Sequence, residues 1–221
     1  MIIAIDGPAG SGKSTVAKFL ARRLNFRYIE TGSMYRAVAW ESARMGIDLN
    51  DRERVAAVAG SLDIAFAPGD GGQRVLVGGR DLTEQLQTEQ VGRQAATVAA
   101  NPEVRGILVP KQRAMGRQGD VVLDGRDIGT VVFPDADRKF YLDADAEERA
   151  RRRFEQIKAS HPGLTQEEVL QQVRQRDHED KNRAASPLRR AAGAIALDTT
   201  SKSVEDVVEE MMKIIEDPSH N

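Results

Sequence analysis

Short apolar runs alternate with longer amphipathic stretches along this chain. The apolar runs predict five core strands, and the stretches between them predict helices. The predicted strands are Ile2 to Ile5, Phe26 to Ile29, Val121 to Gly125, Lys139 to Asp143 and Ala194 to Asp198. Strands that alternate with helices are typical of an α/β fold with a parallel sheet covered by helices on both faces. We therefore predict a five-stranded parallel core.

One stretch does not follow this alternation. Two short runs, Leu62 to Phe66 and Arg74 to Val77, flank a glycine-rich turn over Pro68 to Gly72. Such a pattern predicts an antiparallel hairpin, which a parallel core does not accommodate. With a helix over Thr88 to Ala99, it predicts an inserted subdomain at about residues 60–100.

A charged helical stretch follows the fourth strand. Residues 146–185 predict two helices joined by a turn over Ser160 to Gly163. Their clustered arginines favour a lid over an anionic ligand. The chain is thus predicted to be one domain of 1–221. Its parts are a core of about 1–59, 101–145 and 186–221, the insert and this lid. A final helix over Val204 to Ile215 precedes a polar tail, Asp217 to Asn221.

Composition excludes several classes of protein. The chain of 221 residues has no cysteine, so disulfides and thiolate metal sites are excluded. It shows no signal-peptide pattern and no apolar run of membrane-spanning length, so a cytoplasmic protein without membrane contact is expected. A net charge of −2, from 32 basic and 34 acidic residues, favours a small anionic substrate over nucleic acid. A monomer is expected.

A phosphate-binding loop follows the first strand. The run Gly7-Pro-Ala-Gly-Ser-Gly-Lys-Ser-Thr15 completes the pattern G-x-x-x-x-G-K-S/T between a strand and a helix. Its glycines let successive backbone N–H groups point at phosphate oxygens, while the lysine supplies a charge and the first serine a hydroxyl for Mg²⁺. The predicted ATP-binding residues are Gly7, Pro8, Ala9, Gly10, Ser11, Gly12, Lys13, Ser14 and Thr15.

Three further groups of residues predict the acceptor of the phosphate. The first group, Thr31, Tyr35 and Arg36, follows the second strand, where ligands bind at the carboxyl ends of a parallel sheet. Tyr35 and Arg36 lie on a helix predicted to begin near Ser33. The alternative interpretation is that both are simply surface residues of this helix.

The second group is Asp124-Gly-Arg-Asp127, directly after the third strand. Asp124 is the candidate for organising Mg²⁺ together with Ser14, because a carboxylate at the strand end beside a phosphate loop suits that ion. Arg126 is expected to bind a phosphate with its planar guanidinium, and Asp127 to accept hydrogen bonds from a ring amine or a sugar hydroxyl. The alternative is a plain strand-end turn.

The third group, Arg176, Asp180 and Arg183, has the spacing of one helical face. This spacing is also typical of a solvated salt-bridge ladder. Together with Arg149, Arg152 and Arg153 on the preceding helix, the group instead predicts a lid that neutralises charge during phosphoryl transfer.

These motifs together resemble those of the cytidylate kinase family, within the nucleoside monophosphate kinases. The resemblance covers nearly the whole chain: the phosphate loop, T-G-S-M-Y-R at 31–36, D-G-R-D-I-G-T-V-V-F-P at 124–134, R-D-H-E-D-K-N-R at 176–183 and A-S-P-L at 185–188. The string at 124–134 is the most specific of these. Serine is also found in this family where the chain has Thr31, and the hydroxyl is retained.

The resemblance implies transfer of the γ-phosphate of ATP to CMP or dCMP, with Mg²⁺ as cofactor. It implies a monophosphate-binding insert, ATP contacts from Arg149 and Arg152, and catalytic roles for Lys13, Arg126, Arg176 and Arg183. The implied CMP-binding residues are Thr31, Tyr35, Arg36, Arg105, Arg126, Asp127, Arg176, Asp180 and Arg183. Arg113 competes with Arg105 for its role.

Three other functions are each compatible with part of the sequence. A phosphate-loop kinase acting on UMP, AMP or shikimate shares the loop. A nucleotide switch or motor would leave the arginines without a role, and the chain has neither N-K-x-D nor L-S-G-G-Q. An RNA-binding protein using residues 149–153 would need stacking aromatics, and Phe154 is the only candidate there.

Overall fold

A computed structural model describes residues 1–69, 72–159 and 161–217. The chain divides into two compact units. The first unit combines Met1–Arg27 with the chain from Val121 onward, and the second spans Tyr28–Asp120. The division of the domain predicted from the sequence remains a prediction.

A parallel sheet forms the centre of the first unit. Four of its strands are β1 (Ile2–Asp6), β6 (Val121–Gly125), β7 (Arg138–Asp143) and β8 (Ile195–Asp198). They lie in the order β6-β1-β7-β8, and each neighbouring pair is parallel. The fifth strand of the sheet is β2 (Arg27–Glu30), and the division between the units falls after its first residue. The predicted five-stranded parallel core is confirmed.

Burial explains the apolar composition of these strands. Ile3, Ala4 and Ile5 of β1 have no exposed surface, and neither do Val121, Val122 and Leu123 of β6. A strand buried on both faces is a continuous apolar run rather than an alternating one. Each of these two runs ends in a buried aspartate, so polar groups collect at the carboxyl end of the sheet.

The remaining elements of the first unit are mainly helices. They are α1 (Lys13–Leu24), a five-residue π-helix (Ile128–Val132), α7 (Ala146–Ile157), α8 (Gln166–Asn182) and α9 (Val204–Glu216). Capping boxes begin α8 at Thr165 and α9 at Ser203. Helices α7 and α8 pack through a small apolar cluster that includes Ala150, Ile157, Val169 and Val173.

The second unit contains five helices and an antiparallel sheet among its described residues. Its helices are α2 (Thr31–Arg44), α3 (Arg52–Ser61), α4 (Thr83–Leu86), α5 (Glu89–Ala100) and α6 (Pro102–Gly116), and its strands are β3 (Ile64–Gly69), β4 (Gly72–Val77) and β5 (Arg80–Asp81). The strands follow the order β3-β4-β5. The predicted hairpin is therefore confirmed, although Asp70 and Gly71 of its turn lie outside the described residues.

The boundaries of most predicted elements shift by one or two residues. Helix α2 begins at Thr31 rather than near Ser33, so it follows directly on β2, which ends at Glu30. The sequence interpretation placed no element at α3, α6 or the π-helix. Within the turn predicted before α8, Ser160 is outside the described residues, as are residues 218–221 of the predicted tail. Among the described residues, no helix combines the length and apolarity needed to cross a membrane.

Candidate active site

The phosphate loop joins β1 to α1 through backbone that requires glycine. A Cβ at Gly7 would lie 2.0 Å from the carbonyl oxygen of Leu142, a contact that no side chain tolerates. Gly12 is the N-cap of α1 with φ of 84°, in the left-handed region. The loop therefore ends at the positive end of a 12-residue helix, which is a favourable place for phosphate oxygens.

Lys13 is enclosed at the start of α1. Its side chain is buried, and its Nζ donates a hydrogen bond of 2.6 Å to the carbonyl oxygen of Pro8. Burial, and next the positive charge of Arg126, lower the pKa of Lys13 to about 7, although Asp124, Asp180 and Asp6 oppose the shift. An anion placed beside this ammonium group would stabilise its charged form.

Ser14 and Asp124 meet at the ends of two neighbouring elements. The Ser14 hydroxyl donates a 2.8 Å hydrogen bond to Oδ2 of Asp124, which ends the apolar run of β6 and is buried. The structure thus brings together the two residues predicted to organise Mg²⁺. Hydroxyl and carboxylate oxygens are the ligand types that this ion prefers.

We use the name phosphate cluster for Lys13, Arg126, Arg176 and Asp180. Asp180 is buried between two guanidinium groups, with Arg126 Nε at 3.0 Å and Arg176 Nε at 3.5 Å. Burial by itself would raise the pKa of Asp180, but Arg126 and Arg176 outweigh it and hold the pKa below its usual range. Burial also lowers the pKa of Arg176. Within the cluster three cations face one carboxylate, while Asp124 and Asp6 also act on Lys13.

Arg183 differs from its predicted placement. It is not on the face of α8 that carries Arg176 and Asp180, because α8 ends at Asn182 and Arg183 is its extended C-cap. Its Nε donates to the carbonyl oxygen of Ser186 at 2.6 Å, and its Nη2 lies 3.9 Å from Oδ1 of Asp127. The prediction of one helical face was therefore wrong for Arg183, yet its guanidinium lies beside a predicted site residue.

Arg149 forms what we call the brace with Asp177 of α8. Two hydrogen bonds of 2.9 and 2.6 Å join the guanidinium to the carboxylate. The remaining donors reach the carbonyl oxygens of Ala144, at 2.8 Å, and Ala9 of the phosphate loop, at 3.1 Å. The brace therefore ties α7, α8 and the loop together. The direct ATP contact of Arg149 remains a prediction.

Arg152 supports the loop that follows β8. Its guanidinium donates to the carbonyl oxygens of Thr199, at 2.5 Å, and Thr200, at 3.2 Å, and Nε donates to Glu148 at 2.8 Å. The buried Thr199 hydroxyl in turn lies 3.0 Å from the carbonyl oxygen of Ser11. The ATP contact of Arg152 also remains a prediction.

Four predicted CMP-binding residues belong to the second unit. Thr31 and Tyr35 are buried on α2, and the Arg105 guanidinium of α6 lies 5.6 Å from the centroid of the Tyr35 ring. Arg36 donates a 3.2 Å hydrogen bond to the carbonyl oxygen of Leu86. The structure thus brings Tyr35 and Arg105 together in a cation–π contact. The roles of all four in binding CMP remain predictions.

The sequence interpretation did not select Asp6, Thr199 or Asp177 as functional candidates. Asp6 carried a signal, since a carboxylate directly after a buried strand needs partners. Thr199 carried none, because its contact with Ser11 joins segments 188 positions apart. Asp177 lies within the string at 176–183, but nothing in that string indicated its pairing with Arg149.

Comparisons with known proteins agree on one family. A family model described as Cytidylate kinase matches residues 3–217. A cytidylate kinase of Carboxydothermus hydrogenoformans is 48% identical over 97% of this chain and 97% of its own length. One from Pseudomonas aeruginosa strain UCBPP-PA14 is 46% identical over 96% of this chain and 93% of its own length. The crystal structure of a shikimate kinase from Bacteroides thetaiotaomicron covers 98% of both chains with a TM-score of 0.50 at 13% identity, which shows a shared fold.

Proposed function

The chain belongs to the cytidylate kinase family, and from that premise we propose that it transfers the γ-phosphate of ATP to CMP and dCMP. The products are ADP with CDP or dCDP. The observation that carries the proposal is the phosphate cluster, in which Lys13 of the ATP loop and Arg126 of the acceptor motif share one electrostatic environment. A kinase must bind the acceptor phosphate close to Lys13, whereas a nucleotide switch binds a single nucleotide and needs no acceptor site.

Binding of ATP is assigned to the phosphate loop. Backbone N–H groups of the loop and the first turn of α1 bind the phosphate oxygens, and Lys13 neutralises charge on the β- and γ-phosphates. In the structure, Lys13 donates to the carbonyl oxygen of Pro8. We propose that it exchanges this bond for phosphate oxygens when ATP binds.

The acceptor is assigned to Arg126. Its Nε is paired with Asp180, and its Nη1 donates to the carbonyl oxygen of Gly125. These two bonds fix the plane of the guanidinium and orient it for a phosphate. A phosphate oxygen of CMP is already an anion, so it attacks the γ-phosphate in line without a general base. Positive charge from the cluster then stabilises the equatorial oxygens of the transition state.

Mg²⁺ fits the residues at the head of α1. No group of three or more His, Asp or Glu side chains that could hold a metal ion occurs in the described part of the chain. A pair such as Ser14 with Asp124 suits an ion that keeps several waters and is held by substrate phosphates. When bound with ATP, Mg²⁺ would neutralise charge on the β- and γ-phosphates. We also propose a cytoplasmic monomer whose partners are these nucleotides, without nucleic acid or membrane.

A coupled assay of ADP release tests the proposal. We expect CMP and dCMP to give kcat/KM at least about tenfold above UMP, AMP and shikimate, since a pocket that hydrogen-bonds one base rejects analogues that leave its polar groups unpaired. Product identity is checked by chromatography of CDP. Preference for AMP or shikimate would contradict the proposal, and ATP hydrolysis without any acceptor would favour a switch.

A further inference from the structure

Asp6 is a buried carboxylate that no predicted role uses. It is the last residue of β1, directly before the phosphate loop, and only 2% of its surface is exposed. Its Oδ1 accepts the backbone N–H of Ile128 at 2.8 Å, and its Oδ2 accepts that of Gly129 at 2.7 Å. Both oxygens therefore bind the same short segment, 122 or more positions away in the chain.

That segment directly follows Arg126 and Asp127. Ile128 and Gly129 are the first residues of the π-helix, whose first turn closes on the carbonyl oxygen of Asp127. On the other side, Gly125 lies opposite Asp6 in the register of β1 and β6. Arg126 and Asp127 thus lie on a short turn. The sheet fixes its N-terminal end at Gly125, and the Asp6 carboxylate fixes its C-terminal end at Ile128 and Gly129.

A carboxylate at this position is costly. Burial, opposed by the two N–H groups and reinforced by the nearby Asp127, raises the pKa of Asp6 to about 6. Asparagine would avoid the buried charge, but it has one acceptor oxygen and would turn its NH₂ group toward a second donor. In the observed geometry each N–H faces a different oxygen, and only a carboxylate accepts both bonds in that arrangement. The geometry of this turn therefore depends on the acid.

We propose that Asp6 is a positioning residue that orients Arg126 toward the acceptor phosphate and Asp127 toward the base or the sugar of the acceptor. It does so by coupling the strand that leads into the ATP loop to the turn that carries the acceptor arginine. The inference rests on the proposed CMP kinase activity and assigns a residue that sets the geometry of that same site.

The test is steady-state kinetics of Asp6→Asn with each substrate varied in turn. We expect kcat/KM for CMP to fall about ten- to a hundredfold, because a buried N–H loses its acceptor and the turn shifts. The KM for ATP should change less than about threefold, because the loop amides and Lys13 remain. The melting temperature should not fall, since removal of the buried charge offsets the lost hydrogen bond.

Asp137→Asn is the matched control. Asp137 also accepts a backbone N–H of β1, that of Ile2 at 2.6 Å, but at the opposite end of the strand. This variant should keep wild-type kinetics for both substrates.

A double-mutant cycle separates positioning from general structure. If Asp6 acts through Arg126, then Asp6→Asn combined with Arg126→Ala should lose little more kcat/KM for CMP than Arg126→Ala alone. Unchanged CMP kinetics in Asp6→Asn, or losses that simply add in the double variant, would overturn the inference. So would an equal loss for ATP and CMP accompanied by a lower melting temperature.

The proposed function fails separately. In that case the wild type itself would not phosphorylate CMP, whatever the variants do. Hydrogen exchange at the amides of Ile128 and Gly129 still tests the contact in such a protein. Exchange should be faster in Asp6→Asn than in wild type, and equal rates would refute the coupling.

Discussion

Two buried ionic groups of the first unit use their hydrogen-bond donors differently. In the brace, Arg149 is almost fully buried, and its nitrogens are engaged by both oxygens of Asp177 and by two backbone carbonyls. In the phosphate cluster, Arg126 and Arg176 both pair with the carboxylate of Asp180. Their side chains are 23% and 27% exposed. The contacts to Asp180, at 3.0 and 3.5 Å, are also longer than the shortest contact in the brace.

We propose that this difference separates arginines that mainly support the fold from arginines that bind the acceptor phosphate. A guanidinium whose charge is matched by one carboxylate and whose donors are mostly used has less capacity for an anion. In the cluster, burial and next the charge of Arg126 lower the pKa of Lys13 to about 7, although Asp124, Asp180 and Asp6 oppose the shift. A phosphate beside Lys13 and Arg126 would stabilise both cations, which supports our proposal that the cluster binds phosphate.

The largest expected effect is on the cluster. Arg126→Ala should reduce kcat/KM for CMP by about 10²- to 10³-fold, because a preorganised charge on the acceptor and transferring phosphate is lost. Stability should change little, since Arg176 still pairs with Asp180. The measurements are steady-state kinetics and thermal unfolding. Full activity with CMP in this variant would break the comparison, because the cluster would then have no role in catalysis.

Breaking the brace should have the opposite profile. Asp177→Ala leaves the buried Arg149 charge without its carboxylate, which should lower the free energy of unfolding by about 3 kcal/mol. Activity at 25 °C should fall less than about tenfold, because the carbonyl contacts to Ala144 and Ala9 remain. Urea unfolding and initial rates measure the two quantities. A loss of kcat as large as that of Arg126→Ala at unchanged stability would contradict the distinction.

Much of the fold could be predicted from the sequence because its signals are local. Buried parallel strands are continuous apolar runs, and the phosphate loop occurs between a strand and a helix. The hairpin was equally visible, as two short runs around glycines. Helices α3 and α6 were missed. The apolar residues of α3 show little helical periodicity, and Pro110 within α6 argues against a helix interior.

The site was harder to predict because its contacts are not local. The motifs selected Arg126, Asp180 and Lys13, and the structure places them in one cluster. Spacing alone put Arg183 on the face of α8, but the helix ends before it. The bonds from Asp6 to Ile128 and from Thr199 to Ser11 join residues more than 120 positions apart, a distance that no periodicity reports.

A smaller effect is expected on the pH dependence of the free energy of unfolding. It distinguishes Asp6, a buried carboxylate that is hydrogen-bonded to backbone N–H groups, from the ion-paired Asp177. The folded pKa of Asp6, about 6, lies above its ordinary value of 3.8, so its contribution to stability is complete below 3.8 and lost as the pH rises through 6. The wild type should therefore gain on the order of 2 kcal/mol relative to Asp6→Asn between pH 7 and pH 4. Urea unfolding of both proteins at the two pH values measures this difference. A constant difference would mean that Asp6 is not strained by burial.

The smallest effect is expected at Arg151, which lies next to Arg152 in sequence but pairs with Glu148 on the surface of α7. Its side chain is 55% exposed, so water screens the pair and side-chain entropy opposes it. Arg151→Ala should therefore leave kcat, KM for both nucleotides and the melting temperature within experimental error of wild type. The same assays as for Arg126→Ala apply. A clear loss of activity here would show that charge anywhere on α7 matters, and that the donors of an arginine do not determine its role.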